Sequence, residues 1–459
     1  MQTCTIQIHF DAPEIVYYNP WQIGYIGAQK IAFGLQCSEC LFIPKEHLKH
    51  EIELSEALCN QIFIQENTVI HFIADQDCLY FGPLLGIFAT GFSEKEQKPI
   101  LNERTIFFEK LLRLQTKLGA VSFLFGPGQI CWETGTIQGF FYHDKEGWIQ
   151  KKIGFPTAIY NRLPNRYIEA SPRIKQIKNT LQSHYGIPIF NPNFFDKVSF
   201  FQALSRFTET MQYLPKTVIQ PNTADIFTFL HTHTAAYIKP IHQSAGIGIV
   251  KCFFRKETGL YYAGYYKNDK PVFRAFDNLE TLLEETVFKQ NTTNHLIQAD
   301  IGLQRLNGIP FDFRVHTNRD ENGDWKVTAF AVKLAAKGAP TTHTKYGGKV
   351  QPLELLPFPI KKKRRLREKI YQAVLQMSQI IEKEYSGYIG EIGFDIGIDH
   401  KEKVWLLEGN AKPGRAIFQH PLLVESEETS LSSIYLFAYY LLKQSVKQPD
   451  LLLENLLNS

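Results

Sequence analysis

Two acidic side chains on adjacent stretches are the first sign of chemistry in this chain. The run Gly393-Phe394-Asp395-Ile396-Gly397-Ile398-Asp399 alternates in type. After His400-Lys401-Glu402-Lys403 comes Val404-Trp405-Leu406-Leu407-Glu408-Gly409-Asn410. Alternation of period two is that of a β-strand with one buried face. Ile392, Phe394, Ile396 and Ile398 would share that face, leaving Gly393, Asp395, Gly397 and Asp399 on the other. With residues 400–403 as the turn, Asp399 falls opposite Val404 and Asp395 opposite Glu408. Two carboxylates directly across a ladder repel. A divalent cation between them removes the conflict, and Asn410 adds a neutral oxygen on the same face. Oxygen-only ligation suits Mg²⁺. A solvated hairpin with scattered acids is the alternative.

Other residues could handle an anion. Lys239-Pro240-Ile241-His242-Gln243-Ser244-Ala245-Gly246-Ile247-Gly248 lies between two predicted strands, with Lys251 in the second. Neither a Walker A loop nor a Rossmann turn fits there, because both need a helix behind the glycines. Gly246 and Gly248 would let backbone N–H groups approach an anion, and Ser244 adds a hydroxyl donor. A plain β-turn with surface lysines is the other reading. Lys197 opens a predicted helix, where a cation opposes the macrodipole unless an anion is near. Asp312 and Arg314 alternate on a strand. Arg314 could stabilise a transferring phosphoryl group or form a structural salt bridge. The run Lys361-Lys362-Lys363-Arg364-Arg365 has no interleaved aromatics and reads as a solvated helix face, with a nucleic-acid or acidic-partner patch as the lesser alternative.

The elements that must position these residues fall into several domains, as 459 residues allow. Residues 1–80 read as a β-rich lobe with strands at Thr5–Phe10, Gln22–Ile26, Ile31–Leu35 and Thr68–Phe72, and a helix at Glu53–Gln61. Residues 81–190 read as an α/β domain, beginning strand (Leu84–Ala89), helix (Thr105–Lys117), strand (Val121–Phe125). Residues 191–445 mix helices and strands: a helix over Lys197–Met211, a hairpin pairing Phe311–Thr317 with Trp325–Lys333, a long helix from Pro359 to Tyr385, and a final helix over Leu431–Gln444. Residues 446–459 remain as a tail. The small net charge of +4 gives no case for a nucleic-acid footprint. The seven cysteines are loosely spaced and odd in number, which argues against a disulfide framework. No apolar run approaches a membrane span, and no signal peptide is evident. A cytoplasmic protein is expected.

The order of these pieces resembles the ATP-grasp superfamily, and more closely its YheC/YheD group of endospore-coat-associated proteins. The closer likeness rests on Tyr160-Asn161-Arg162 with Arg166 and Glu169, on Phe190-Asn191-Pro192 with Phe194-Phe195-Asp196-Lys197, on Leu214-Pro215-Lys216-Thr217, and on Trp405-Leu406-Leu407-Glu408-Gly409-Asn410-Ala411-Lys412-Pro413-Gly414-Arg415. It implies a pre-ATP-grasp α/β domain over residues 81–190 and a two-subdomain, α+β ATP-grasp fold over 191–445. Lys197 and Lys239 would bind phosphate, and Ser244 to Gly248 would form the phosphate loop. Gln298, Ala299, Asp300 and Ile301 would receive adenine. Asp395, Glu408 and Asn410 would hold Mg²⁺, with Mn²⁺ as an alternative. Lys333 stands where the pattern favours arginine, and His343 where it favours asparagine. Lysine keeps the charge but loses the bidentate fork. The implied activity is ATP-dependent ligation of a small-molecule or peptide carboxylate to an amine, with Arg314 and Arg415 steadying the developing anion. Alternatives are a nucleotide-binding spore-coat assembly protein without turnover, working beside other coat proteins, and a kinase acting on a hydroxyl. The roles of Asn161, Arg162 and Arg166 stay open between substrate contact and domain tie.

Overall fold

The structure, a computed structural model, describes residues 2–23, 27–92, 99, 104–243, 246–287, 294–343 and 346–457. Among the described residues, four sheets follow one another along the chain. They hold eight strands within residues 3–82, seven within 84–190, six within 217–299 and six within 305–410. In the second sheet Leu84–Phe88 pairs in parallel with Val121–Phe125 and with Ala158–Asn161. The helix Thr105–Arg113 makes the first crossover, the βαβ connection that parallel strands require.

Several expected elements differ at their edges, for local reasons. Ser55 accepts from the Leu58 N–H and caps Glu56–Ile62, so Glu51–Ser55 is strand and not helix. Pro20–Ile23 is a short helix where a strand was expected, and residues 24–26 lie outside the described set. Lys197–Met211 is two helices, Lys197–Ser205 and Thr208–Met211. The Thr210 hydroxyl bonds the Leu204 carbonyl at 2.6 Å across the break. The helix Thr223–His233, closed by an Asn222–Asp225 capping box, carries no expectation from the sequence. The tail contains a helix, Pro449–Leu457.

The fourth sheet positions the site. Its central strand Ile309–Arg319 pairs with Trp325–Leu334 on one side and Glu391–Ile398 on the other, and Val404–Asn410 pairs beyond. One face is apolar. Phe313, Val315, Phe394 and Ile396 are fully buried there, packed with Ile370, Val374 and Met377 of the helix Ile360–Glu384. By alternation the opposite face carries Asp312, Arg314 and His316 beside Glu391, Gly393 and Asp395. The helix Val424–Lys447 joins distant parts: Tyr435 donates to the Leu111 carbonyl at 2.9 Å, and Phe437 stacks edge-on against Phe190 at 5.3 Å.

Gly409 is required by a close approach. A Cβ there would lie 2.1 Å from Phe200 Cζ. Phe200 cannot swing aside, since it is 1% exposed and ringed by Phe195, Tyr385 and Phe394. Gly409→Ala should therefore destabilise the fold by about 1–3 kcal/mol, read from a urea midpoint. Adding Phe200→Ala should recover part of that loss, giving non-additive energies for two residues in contact.

Candidate functional site

The carboxylates meet as expected, but by a different register. Asp395 lies opposite Glu408 and Gly393 opposite Asn410. Nearer the turn, Ile398 and not Asp399 lies opposite Val404, and the register shifts between Asp395 and Ile396. Leu407 is the extra residue of a β-bulge. Val404 and Leu406 point to the apolar core, whereas Leu407 and Glu408 both line a cavity, which strict alternation would forbid. Without the bulge, Glu408 would face the core. Asp399 is a turn residue: Oδ1 accepts from the Lys401 and Lys403 N–H groups at 2.9 Å, and Oδ2 from Trp405 Nε1 at 3.0 Å.

The cavity holds about 1010 Å³ between the third and fourth sheets. Of the residues singled out from the sequence, Lys197, Lys239, Gly246, Gln298, Ala299, Asp300, Ile301, Asp395 and Glu408 line it, as do Lys251, Asp312, Lys333 and His343. Gly248, Asn410, Arg314 and Arg415 do not. Ser244 lies outside the described residues. Gly246 and Gly248 hold φ of +74° and +73°, the left-handed backbone that glycine adopts without strain. A Cβ at Gly246 would meet the His343 ring at 2.3 Å, so that loop is covered by the loop following Leu334.

Two half-buried ammonium groups, those of Lys197 and Lys239, face the cavity. Lys197 follows the helix cap Asp196, and its Nζ lies 2.5 Å from the Gln243 carbonyl, 3.2 Å from that of Pro240 and 3.8 Å from Glu408 Oε1. Lys239 is the penultimate residue of the strand Ala235–Pro240 and donates to Gln298 Oε1 at 2.6 Å. Burial brings the Lys239 ammonium down to about 8, the Glu408 carboxylate resisting and Lys197 adding to the fall. Burial lowers Lys197 as well. Beside them, the Lys251 ammonium lies 2.6 Å from Asp300 Oδ2.

Asp395 is held by two cations. Arg314 Nε lies 3.0 Å from Oδ1 and Nη2 3.2 Å from Oδ2, while Lys333 Nζ lies 2.7 Å from Oδ1. Lys333 also reaches Asp312 Oδ1 at 3.2 Å, and the Thr342 hydroxyl bonds the other Asp312 oxygen. Burial alone would raise Asp395, but Arg314 and Lys333 outweigh it and hold the group at about 2. For Asp312 burial prevails over Lys333 and the group is raised. The bridging role of Lys333 was not anticipated: carried back from Arg319–Trp325 without a break, the hairpin register sets Val332 opposite Asp312, and only the shift between His316 and Thr317 brings Lys333 there.

Arg415 sits elsewhere. Its Nη2 lies 2.9 Å from Glu391 Oε2 and its Nη1 donates to Ser430 Oγ at 2.6 Å. Arg162 reaches the same carboxylate at 3.2 Å, and the Tyr160 hydroxyl bonds it too. Glu391 is 1% exposed and had no role in the sequence reading. Extending the alternation of Gly393 and Asp395 by two residues would have found it. Asn161 donates to Glu169 at 2.8 Å and to the Pro192 carbonyl at 2.7 Å, and Arg166 donates to the Phe195 carbonyl at 2.5 Å. These three residues tie the second sheet to the segment leading into the site.

Asp395, Glu408 and Asn410 offer only oxygens, a set that fits a hard cation such as Mg²⁺. Among the described residues no three His, Cys, Asp or Glu side chains gather into a metal cluster. Mg²⁺ needs none, since it is bound through one or two carboxylates plus phosphate and water. Arg314 Nη1 is buried without a hydrogen-bond partner, behind the cavity wall.

Residues 186–441 match a family model described as YheC/D like ATP-grasp. Over 442 residues the chain is 34% identical to the endospore coat-associated protein YheD of Bacillus subtilis (strain 168), spanning 96% of each chain. Over 296 residues it is 23% identical to the endospore coat-associated protein YheC of the same organism, covering 63% of this chain and 80% of that one. Among solved structures, the VanG D-Ala:D-Ser ligase from Enterococcus faecalis aligns with a TM-score of 0.46 and 12% identity, over 78% of this chain and 99% of that one.

Lys333→Met would leave Asp312 and Asp395 buried without their shared cation. The expected loss is about 3–5 kcal/mol at pH 8, read by urea denaturation. Asp312 is already raised, and removing Lys333 raises it further. A carboxyl raised in the folded state destabilises above its folded pKa and is relieved as pH falls through it. The deficit should therefore shrink at pH 5, and Lys333→Arg should largely avoid it.

Proposed function

The chain belongs to the YheC/D-like ATP-grasp family, and from that premise we propose that it is an ATP-dependent ligase joining a carboxylate to an amine through an acyl phosphate. The observation that carries the reading is one cavity lined by the half-buried Lys197 and Lys239 and, a few ångströms from Lys197, a carboxylate paired across a ladder with Asp395. Lys197, Lys239 and the N–H groups around Gly246 would hold the triphosphate. Gln298 to Ile301, at the end of a strand, would take the adenine. Asp395, Glu408 and Asn410 would hold Mg²⁺, or Mn²⁺ in its place, which when bound supplies charge neutralisation on the phosphate oxygens. Arg314 does not line the cavity and would act through Asp395, which it anchors. Arg415 would act at a distance, by fixing Glu391 at the start of the strand that bears Asp395. The γ-phosphoryl would pass to the acceptor carboxylate and the amine would displace phosphate, so no protein nucleophile is needed. The acceptor is a small-molecule or peptide carboxylate. From the relatives YheD and YheC, endospore coat-associated proteins, we also propose that this chain belongs with the spore coat, after synthesis in the cytoplasm.

A second reading has one observation in its favour. Both oxygens of Asp395 are already engaged by Arg314 and Lys333. A coat protein that keeps nucleotide binding without turnover would tolerate a metal ligand so firmly held.

ATP-dependent formation of a hydroxamate, when amino acids, peptides and cell-wall fragments are screened with hydroxylamine, separates the two. Tight ATP binding with no stimulated ADP release across that screen would favour the assembly protein. Glu408→Gln should weaken Mg²⁺-dependent ATP binding while leaving the urea midpoint nearly unchanged. The Lys239 charge is present below about pH 8 and lost above it. Calorimetry should therefore show ATP affinity falling roughly tenfold between pH 7 and pH 9, the weight of one charged hydrogen bond. Lys239→Met should bind weakly and flatly across that range.

A further inference from the structure

The segment 354–369 carries seven Lys and Arg against two Glu, a surplus of five, while the whole chain nets only +4. The protein is thus close to neutral apart from one concentrated patch. The patch opens the helix Ile360–Glu384, where the macrodipole disfavours cations, so helix stability does not account for it. Nearby acids engage part of it. Glu402 takes Lys362 and Arg365, Glu354 takes Arg367, and Glu368 takes Arg364. Lys363 and Lys369 lie on the backbone carbonyls of Glu354 and Glu402. The surplus remains, with Lys361, Arg364, Arg365 and Lys369 exposed.

Large apolar side chains stand in water beside these cations. Ile360 is 84% exposed and Leu355 52%. The aromatic rings at hand are already covered by ammonium groups: Lys362 lies 4.3 Å from the Phe358 ring and Lys403 3.7 Å from that of Trp405. They offer no free stacking platform for nucleic-acid bases. The helix packs on the apolar face of the fourth sheet, opposite the face that bears Asp395, and none of the patch residues lines the cavity. A partner could cover the patch and leave the cavity open.

We propose that this patch docks the protein on an anionic lipid surface, with the cations at the headgroups and Ile360 and Leu355 dipping into the interfacial layer. Charge complementarity supplies the attraction. Exposed aliphatic groups next to the cations match the boundary between headgroups and acyl chains. The association is peripheral and reversible, since no described helix is long and apolar enough to span a bilayer. It does not rest on the ligase reading.

The test is co-sedimentation of the full chain with vesicles of phosphatidylcholine, with and without phosphatidylglycerol, and with heparin as a soluble polyanion. Binding should require phosphatidylglycerol and disappear at high salt. Lys361→Ala, Arg364→Ala and Lys369→Ala together should weaken it about a hundredfold. Ile360→Ser with Leu355→Ser should weaken vesicle binding severalfold and leave heparin binding unchanged. All five positions are exposed, and unchanged thermal midpoints would exclude misfolding as the cause. Equal binding to neutral vesicles, or none to anionic ones, overturns the proposal. So does a full response to the charge variant with none to the aliphatic pair, which would mark a soluble-polyanion site.

Discussion

Everything near the cavity depends on one ammonium group placed between two buried carboxylates. Lys333 spans Asp312 and Asp395 at 3.2 and 2.7 Å, with Arg314 closing the set. Burying such charges costs more than their attraction returns unless each is paired and hydrogen-bonded. The network is therefore better understood as a device for position than for stability. It fixes where the Asp395 oxygens point, and through the ladder it fixes the strand bearing Glu408. The apolar face of the same sheet, clamped by the long helix, keeps the strands from relaxing away from that arrangement.

Much of this was legible in the residues. Alternation of apolar and acidic residues along 392–399 gives the two faces of the strand, because a side chain's face depends on sequence parity alone. Lys197 at a helix start, against the macrodipole, pointed to an anion-handling end, and its helix does begin there behind Asp196. The helix Thr223–His233 and the strand Lys270–Phe276 were missed although local signals existed: the Asn222–Asp225 capping box opens the helix, and Asn268-Asp269, both at positive φ, turn the preceding strand back onto the second. The helix has a stripe that faces the third sheet, and Phe276 belongs to the same core. Arg415 shows the limit in the other direction. Its type and place in the motif suggested the reacting centre, yet its partner Glu391 holds it at the domain junction. Which carboxylate an arginine meets is a tertiary fact.

The N-terminal half bears on the site indirectly. The second sheet reaches it through Tyr160, Arg162 and Asn161, whose hydrogen bonds end on Glu391, Glu169 and the Pro192 carbonyl. Asn191 carries the connection further, donating to the Glu391 and Ala411 carbonyls at 2.8 and 2.5 Å. The two ends of the carboxylate hairpin are thus gripped differently, by polar bonds to another domain at one end and by the turn residue Asp399 at the other.

The bulge at Leu407 has a consequence for how this hairpin can vary in evolution. Because it lies between the turn and Glu408, it resets the inward–outward phase of the returning strand. The length of the 399–403 turn then says nothing about which later side chains look inward. An insertion or loss at the turn could be absorbed by a compensating change at the bulge, with the ligands left in place. Comparisons of relatives should accordingly align the two strand halves separately, treating the bulge as a movable punctuation mark and not as a defect in the pairing.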